Sequence, residues 1–409
     1  MKTKKNIFLW ALYDFANSMV SVVFFLYFAQ WIVIDRGIAD IYFNLTLTAS
    51  ALLLLLTVPF TGALLDKSWR RISGLRYSTI ASVLFYGLCS WAVISGQNVL
   101  ALIFFTIGLY SYLLSFTFYT PLLNDIASQE KRGRISGFGI AANYLGQFAG
   151  LLLVLPLSNG TLNFFGASPR AETLLPAVIG FFVFSLPMLI FFKEPKKPVL
   201  KISEESVIKT TIKETKLLLS ASSVVFFILA YFLLNDAILT AVNNFPIFLE
   251  QVWKISDTIK TYLLLGVIVT CGIGAGLSGF VADKFGSKKT LMTILIGWII
   301  LLPLVGWLTS FTIFVISSIM IGLWYGATWA VSRSLMGDIS PKGKHNLSFA
   351  YFGLAERASS LIGPVIWGLV VTGLVDLGSV RYRIAMSVVS IFVILGVLAL
   401  LKVKVGGKS

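Results

Sequence analysis

Four ionisable residues interrupt long apolar stretches of this sequence: Asp14, Asp236, Glu356 and Arg357. A charged side chain at the centre of a bilayer costs about 3 kcal/mol or more, so such residues mark ion or substrate paths by default. Shielding from water can raise the pKa of a carboxyl group from about 4 into the physiological range. We therefore expect Asp14 and Asp236 to couple a proton or another cation to movement, with local hydrogen bonding to a neighbouring helix as the alternative.

Glu356 and Arg357 are adjacent, so on a helix their side chains point about 100° apart and need not pair with each other. An arginine binds a carboxylate or phosphate through two parallel hydrogen bonds, which a lysine does not match. Arg357 is thus a candidate ligand for an anionic group of a substrate. Neutralisation of Asp14 or Asp236 is the other interpretation, since a buried charge needs a partner.

Amide side chains within the same apolar stretches extend this polar set. They can line a polar path or hydrogen bond between helices. The predicted coupling and substrate-path residues are Asp14, Asn17, Asn143, Asn235, Asp236, Glu356 and Arg357.

The elements that hold these residues follow from composition. Of 409 residues, 57% are hydrophobic and 12% are charged, whereas a soluble domain is about half apolar and about a quarter charged. These values exclude a soluble domain and a disordered chain, and two cysteines exclude a disulfide scaffold. Twelve apolar runs are present, most of them long enough for a membrane-spanning helix of roughly 20 residues. They lie near residues 7–34, 42–65, 75–95, 98–123, 135–157, 173–192, 219–249, 258–281, 290–309, 311–335, 347–375 and 383–403.

The positive charge predicts the orientation of these runs. Of 33 Lys and Arg residues, 26 lie in segments on the side of the N-terminus and six on the other side. Because cytoplasmic loops carry the excess of Lys and Arg, both termini are expected in the cytoplasm. The net charge of +15 is then explained by the cytoplasmic segments of a membrane protein, and no nucleic-acid partner is expected. The N-terminal apolar stretch is expected to be a retained first span.

Three short patterns recur in the same order. Residues 62–71 read GALLDKSWRR and residues 279–289 read GFVADKFGSKK, with a 217-residue offset between their aspartates. Asp125 and Asp338 are offset by 213 residues, and Asp14 and Asp236 by 222. The repetition predicts two six-helix halves in parallel orientation, as in many secondary transporters.

The predicted domains follow from this repeat: a six-helix bundle over 1–192, a cytoplasmic linker over 193–218 and a second six-helix bundle over 219–409. The linker is expected to contain an amphipathic helix lying along the inner leaflet, with a solvated linker as the alternative. The predicted fold class is thus an all-α integral membrane protein of twelve transmembrane helices.

The repeated Gly–Asp–basic pattern resembles the loop signature of the major facilitator superfamily. The second copy fits well, with Gly286 in the glycine position, and the first departs from it at Trp69. Four stretches further resemble the vacuolar amino-acid effluxer branch and its bacterial relatives. They are residues 10–18 (WALYDFANS), 231–236 (YFLLND), 332–334 (SRS) and 352–364 (FGLAERASSLIGP).

This sequence departs from that branch at two places. Ala237 stands where a glycine usually follows the aspartate, and Glu356 with Arg357 replaces a less acidic pair. The resemblance to the superfamily implies a charged cytoplasmic gate whose contacts form in one state and break in the other; simple anchoring of the spans is the alternative. The implied gate residues are Asp66, Arg70, Arg71, Asp283, Lys288, Lys289 and Arg333.

Several other chemistries find no support in the sequence. Residues 274–279 match GxGxxG but lie inside an apolar run, and no phosphate-loop pattern is present. The single histidine, His345, and the cysteines Cys89 and Cys271 have no metal-ligand spacing. No cofactor, metal or enzymatic activity is expected.

Together these patterns predict a monomeric secondary transporter in the cell membrane that moves a small-molecule substrate by alternating access. Protons are the expected coupling ion and the lipid bilayer the expected surroundings. The resemblance makes export or exchange of an amino acid the first candidate activity. A drug or lipid-like exporter is the alternative, and a membrane enzyme or scaffold is a remote one.

Overall fold

The computed structural model describes residues 2–67, 70–127, 132–194, 222–341 and 345–405. In these ranges the chain is helical and has no strand. Twelve helical segments are long and apolar enough to cross a membrane, which confirms the predicted number. The predicted linker helix falls largely outside the described residues.

We number these segments as spans 1 to 12 in chain order. They are Lys4–Asp35, Asp40–Val58, Arg71–Ile94, Asn98–Tyr119, Ile135–Ser158, Pro169–Phe191, Ser222–Trp253, Asp257–Phe285, Ser287–Trp307, Phe311–Ile339, Leu347–Gly373 and Val380–Leu401. We call the end at which odd-numbered spans begin the near end, and the end at which they finish the far end. In this numbering the chain termini lie at the near ends of spans 1 and 12.

Four of the described spans depart from a regular α-helix. Span 6 is interrupted at Thr173, between the helices Pro169–Glu172 and Leu174–Phe191. Span 1 is α-helical over Lys2–Val23 and then contains two π-helical turns, Phe24–Phe28 and Trp31–Asp35. Span 7 is α-helical over Ser222–Phe248 and ends in one π-helical turn. Span 11 consists of two helices, His345–Ala358 and Gly363–Gly373, whereas the sequence predicts one apolar run there. Such irregular turns are frequent at functional sites.

The chain divides into two compact units. Unit 1 comprises Met1–Pro195, Val242–Val269 and Pro364–Tyr382. Unit 2 comprises Lys196–Ala241, Thr270–Gly363 and Arg383–Ser409. Each unit therefore draws on both halves of the sequence, and the boundaries of the two predicted bundles stay a prediction.

In unit 1, spans 1 and 5 pack with their backbones in close approach. A Cβ at Gly146 would overlap the carbonyl of Phe15, and one at Gly150 would lie 2.6 Å from the carbonyl oxygen of Met19. Lipid gives apolar surfaces no incentive to associate, so small residues that admit dense van der Waals packing stabilise such contacts. This packing fixes the faces of spans 1 and 5 that carry Asp14 and Asn143.

Aromatic rings fill the unit 1 core along span 1. Near its middle, Phe24 and Phe28 lie against Tyr86 and Phe105, with ring centroids 4.3 Å apart for Phe24 and Tyr86 and 4.4 Å apart for Phe28 and Phe105. Aromatic pairs of this kind contribute about 1 kcal/mol beyond the burial of their surface.

In unit 2, spans 8 and 10 also pack through glycines that lie against the backbone of the other helix. A Cβ at Gly274 would overlap the carbonyl of Leu323, and one at Gly326 would overlap the carbonyl of Cys271. Small residues again let two helix backbones meet. Span 10 carries Arg333, which this contact helps to position.

Candidate functional site

A polar chain in unit 1 contains two predicted residues. Asn143 Nδ2 in span 5 donates to Asp14 Oδ1 in span 1 at 3.3 Å, and Gln147 Nε2 donates to Asn143 Oδ1 at 2.8 Å. All three side chains are half-buried. The structure thus brings Asp14 and Asn143 together, and the group offers a carboxylate with two amides to a cation, an ammonium group or a proton.

Asn17 lies close to Asp14 on span 1 and is fully buried. Neither its Nδ2 nor its Oδ1 has a hydrogen-bond partner among the described residues. Leaving a buried donor or acceptor unsatisfied costs about 1–3 kcal/mol. Asn17 is therefore a position at which a polar ligand, or a change in packing, would supply the missing hydrogen bonds.

A second polar group lies in unit 2, where span 7 meets span 11. Tyr231 donates its hydroxyl to Glu356 Oε2 at 3.1 Å, and Asn235 Nδ2 donates to the Glu356 carbonyl at 3.0 Å. The ring of Tyr231 stacks on Phe352 with centroids 4.2 Å apart and meets Trp329 edge-on at 6.4 Å. The structure thereby unites the predicted residues Asn235 and Glu356 and surrounds them with aromatic rings.

Arg357 and Arg333 bring positive charge to this group. Both side chains are half-buried, and the charges of Glu356 and Arg333 both act on the Arg357 guanidinium. Arg357 Nη2 lies 3.9 Å from the position that a Cβ at Gly353 would take, so the side chain runs back along its own helix. The group therefore holds one carboxylate and two guanidinium ions, and the role of Arg357 as substrate ligand stays a prediction.

Asp236 has a different environment from Asp14, its counterpart in the repeat. It is fully buried. Its Oδ1 accepts from the Ser360 amide at 2.9 Å and its Oδ2 from the Gly363 amide at 2.8 Å. Local hydrogen bonding of this kind is the alternative to cation coupling that the sequence analysis gives for Asp236. A coupling role for Asp236 stays a prediction.

At the near end of unit 1, the predicted gate residue Arg71 forms an ion pair. Arg71 Nη1 donates to Asp125 Oδ2 at 2.8 Å, whereas Arg70 is exposed. The side chain of Asp66 lies outside the described residues. Arg76, one turn further along span 3, donates to the Leu189 carbonyl at 2.6 Å.

Unit 2 also has hydrogen bonds at its near end. Ser287 Oγ donates to Asp338 Oδ2 at 2.7 Å, and Lys288 Nζ donates to the Val403 carbonyl at 2.6 Å. Asp283 and Lys289 are exposed. The contacts seen here join elements within one half of the sequence, and a gate made by these residues stays a prediction.

Sequence reasoning missed a network of ions at the far end of unit 1. Arg170 in span 6 bonds to carboxylates from three other spans: Asp35 at 2.6 Å, Glu250 at 2.8 Å and Asp257 at 2.7 Å. Lys260 joins the same carboxylates of Glu250 and Asp257. We call these five residues the far-end network.

Lys260 is the innermost member of the far-end network. Its side chain has no exposed surface, and its Nζ donates to Gln30 Oε1 at 2.5 Å and to Asp257 Oδ1 at 2.8 Å, besides Glu250. An open pocket of about 420 Å³ is lined by Arg170, Glu250 and Asp257. Lys260 is not among the residues that line it. The Asp257–Lys260 spacing of three residues, typical of helical ion pairs, is the signal that the sequence offered.

Uncharged polar pairs also lie at the far end of unit 1. Asn44 in span 2 and Asn244 in span 7 exchange two amide hydrogen bonds, at 3.0 and 2.9 Å. The hydroxyls of Tyr27 and Thr261 are 2.9 Å apart. Together with the far-end network, these pairs join spans 1, 2 and 6 of the first half of the sequence to spans 7 and 8 of the second half.

Comparisons with known proteins agree with this architecture. Residues 41–408 match the family model described as "Vacuole effluxer Atg22 like". The uncharacterized MFS-type transporter YxiO of Bacillus subtilis is 21% identical over 87% of this chain and 86% of its own. Autophagy-related protein 22 of Vanderwaltozyma polyspora is 27% identical over 53% of this chain and 43% of its own.

A solved structure has the same fold. It is a bacterial homologue of the human lysosomal transporter Spinster, crystallised in an inward-facing, unoccupied conformation. It aligns with a TM-score of 0.72 over 100% of this chain and 98% of its own, at 13% sequence identity.

Proposed function

Because this chain belongs to the Atg22-like family of vacuole effluxers, and is thus a membrane transporter with the major facilitator fold, we propose that it exports or exchanges an amino acid by proton-coupled alternating access. The distribution of Lys and Arg supports insertion in the cell membrane with both termini in the cytoplasm. We propose that the monomer is the working form.

The observation that carries the proposal is the carboxylate of Asp14 bonded to an amide within two packed spans. Asn143 Nδ2 lies 3.3 Å from Asp14 Oδ1, a long hydrogen bond that a proton or an ammonium group can replace. Asp14 is half-buried, and the proposal requires that ions reach it from the transport path. A carboxylate that changes its charge during the cycle is what coupling to protons requires.

Unit 2 supplies charges that suit an amino acid. Glu356 offers a carboxylate to an ammonium group, and Arg333 and Arg357 offer guanidinium groups to a carboxylate. Tyr231 and Asn235 hold Glu356 and its backbone in place. A zwitterion would therefore find both of its charges matched in this group.

The far-end network supports alternating access. It ties Asp35 and Arg170 to Glu250 and Asp257, from the other half of the sequence, around a fully buried Lys260. Leaving one charge of a buried ion pair without its partner costs about 3–5 kcal/mol. These bonds therefore favour a closed far end. We propose that they open once in each transport cycle, as the charge contacts of a gate do.

A second candidate is export of a drug or lipid-like molecule. Phe227, Tyr231, Phe352 and Trp329 form a continuous aromatic cluster in unit 2, with the Phe227 and Phe352 centroids 6.0 Å apart. Aromatic faces attract large apolar cations through cation–π contacts. This cluster would serve such a molecule as well as an amino acid.

Purified protein in liposomes with an imposed pH gradient tests both candidates. The assay compares labelled amino acids with labelled lipophilic cations, for the wild type and for Asp14→Asn. We expect gradient-driven accumulation of an amino acid by the wild type, and its loss in Asp14→Asn with solute exchange retained. Asp376→Asn, at an exposed aspartate, is the matched control. Unchanged gradient-driven accumulation in Asp14→Asn would contradict proton coupling through Asp14, and movement of lipophilic cations alone would favour the second candidate.

A further inference from the structure

Span 11 is interrupted by four non-helical residues, 359–362, between Ala358 and Gly363. The local sequence explains the interruption. Pro364 has no amide hydrogen to continue the helical ladder, and its ring disfavours helical backbone at the preceding residue. Ser360 has a φ of 114°, a value that only glycine adopts without strain.

The side chain of Asp236 holds this interruption together. Backbone amides that are left without partners at membrane depth cost several kcal/mol each, so a broken helix needs other acceptors. The two oxygens of Asp236 supply them, one to Ser360 and one to Gly363. The carboxylate therefore takes the place of the missing helical hydrogen bonds and caps the helix Gly363–Gly373.

Span 7 contacts both sides of the interruption. Before it, Asn235 donates to the Glu356 carbonyl at 3.0 Å. After it, a Cβ at Gly363 would overlap the Thr240 hydroxyl and lie 3.0 Å from the Asp236 carbonyl oxygen. The start of the second helix thus rests directly on span 7, and only a glycine fits there.

The repeat shows that close packing alone does not require a broken helix. Gly146 of span 5 lies 217 residues before Gly363 and packs in the same way, on the Phe15 carbonyl of span 1. Its helix, Arg132–Ser158, is nevertheless continuous. The break in span 11 is therefore not imposed by this kind of packing and needs another explanation.

We propose that residues 359–362 form a hinge in span 11 and that Asp236 is the latch that holds it. A turn at this point bends span 11 where it is not helical, so the hydrogen bonds within the two flanking helices are kept. The bonds from Asp236 to the Ser360 and Gly363 amides resist the turn. The boundary between the two compact units falls at the same place, between Gly363 and Pro364, and hinges consist of a few such element-terminal residues. This assigns Asp236 to movement of the helix Gly363–Gly373 and not to contact with the solute.

Two spin labels at exposed positions of span 11 test the hinge. Cysteines replace Phe349, before the break, and Leu369, after it; both side chains are exposed. Cys89→Ser and Cys271→Ser remove the native thiols. A continuous helix over these twenty residues would place the labels about 30 Å apart, within the range of pulsed electron resonance, and a bend at the break shortens this distance. We expect Asp236→Asn to add a second population of distances to that of the parent, since the amide nitrogen of asparagine cannot accept the second backbone bond.

Hydrogen exchange supplies an independent readout. The amides of residues 360–363 are expected to exchange at least tenfold faster in Asp236→Asn, which corresponds to about 1.4 kcal/mol of lost protection. The matched control is Asp14→Asn, the same change at the equivalent position of span 1, whose partner is a side-chain amide. It should change neither the distances nor the exchange in span 11.

A folded Asp236→Asn protein with unchanged distances would overturn the hinge and leave Asp236 as a fixed brace. Should this variant fail to fold, exchange in the parent protein decides the question. Amides 360–363 that open more readily than those of both flanking helices support a hinge, and equal protection throughout span 11 overturns it. Neither readout needs the solute, so failure of the hinge is distinguishable from failure of the proposed transport.

Discussion

Arg170 Nε donates to Asp257 Oδ2 at 2.7 Å and thereby joins span 6 to span 8 at the far end of unit 1. The two side chains are 12% and 9% exposed, so solvent screens their attraction little. The same guanidinium bonds to Asp35 and Glu250. One residue thus holds Asp35 together with two acidic residues that follow it by more than 200 positions in the sequence.

Arg170→Gln is expected to loosen the far end. A cysteine at Thr261, which is fully buried behind the network, reports the opening through its reaction with a charged maleimide in nanodiscs. We expect the labelling rate to rise at least tenfold, equivalent to about 1.4 kcal/mol. Arg36→Gln is the control, because the Arg36 side chain is exposed and donates to Asn98 and to the Gly96 carbonyl, outside the far-end network. Equal labelling in both variants would show that Arg170 does not keep this end closed.

Lys260→Met is expected to lower the free energy of unfolding by about 3 kcal/mol, because it leaves the partly buried Glu250 and Asp257 carboxylates with less positive charge. Thermal unfolding in detergent measures the change. Adding Glu250→Gln removes one of the two uncompensated acids, so the double variant should be more stable than Lys260→Met alone. A strictly additive result would show that Lys260 and Glu250 do not interact energetically.

Gly146→Ala is expected to destabilise unit 1 by about 1–3 kcal/mol, because the new Cβ overlaps the backbone carbonyl of Phe15. Gly137 lies on the same helix and has open space where its Cβ would stand. Gly137→Ala should therefore be neutral, or more stable by up to about 1 kcal/mol through its helix propensity. Melting temperatures of the two variants check the contrast, and equal values would contradict a tight contact between spans 1 and 5.

Tyr231→Phe removes the hydrogen bond to Glu356 but keeps the ring that stacks on Phe352. If Glu356 contacts the solute, we expect the solute KM to rise several-fold, since one net hydrogen bond contributes about 1 kcal/mol. Tyr77→Phe, at an exposed tyrosine, is the control. A KM that does not move in Tyr231→Phe would argue against a role of Glu356 in binding.

The sequence predicts the spans well because the length and apolarity of a stretch determine whether it can cross a membrane. The run predicted near 98–123 is the helix Asn98–Tyr119, and the one near 290–309 is Ser287–Trp307. Asp14 and Asn143 could be selected because amides and acids are rare and costly in lipid. Their contact required the packing of Gly146 on span 1, which no single-sequence pattern specifies.

Two features escaped prediction for different physical reasons. Lys260 lies at the start of the apolar run near 258–281, and nothing local indicates that Gln30 and Glu250, from distant positions, bury it. The break in span 11 had a local signal in Gly363-Pro364. The apolar residues around it, however, continue without interruption, and apolarity does not distinguish a broken helix from a continuous one.

The two near-end corners differ in chemistry. Arg71 meets Asp125 as an ion pair, whereas Ser287 meets Asp338 through a neutral hydroxyl. An anionic lipid headgroup can compete with Asp125 for Arg71, and it can also meet the exposed Lys284 and Lys289 beside Ser287. It replaces an acidic partner only at the first corner. We therefore expect membranes rich in acidic lipids to break the Arg71–Asp125 pair and to leave the Ser287–Asp338 hydrogen bond in place.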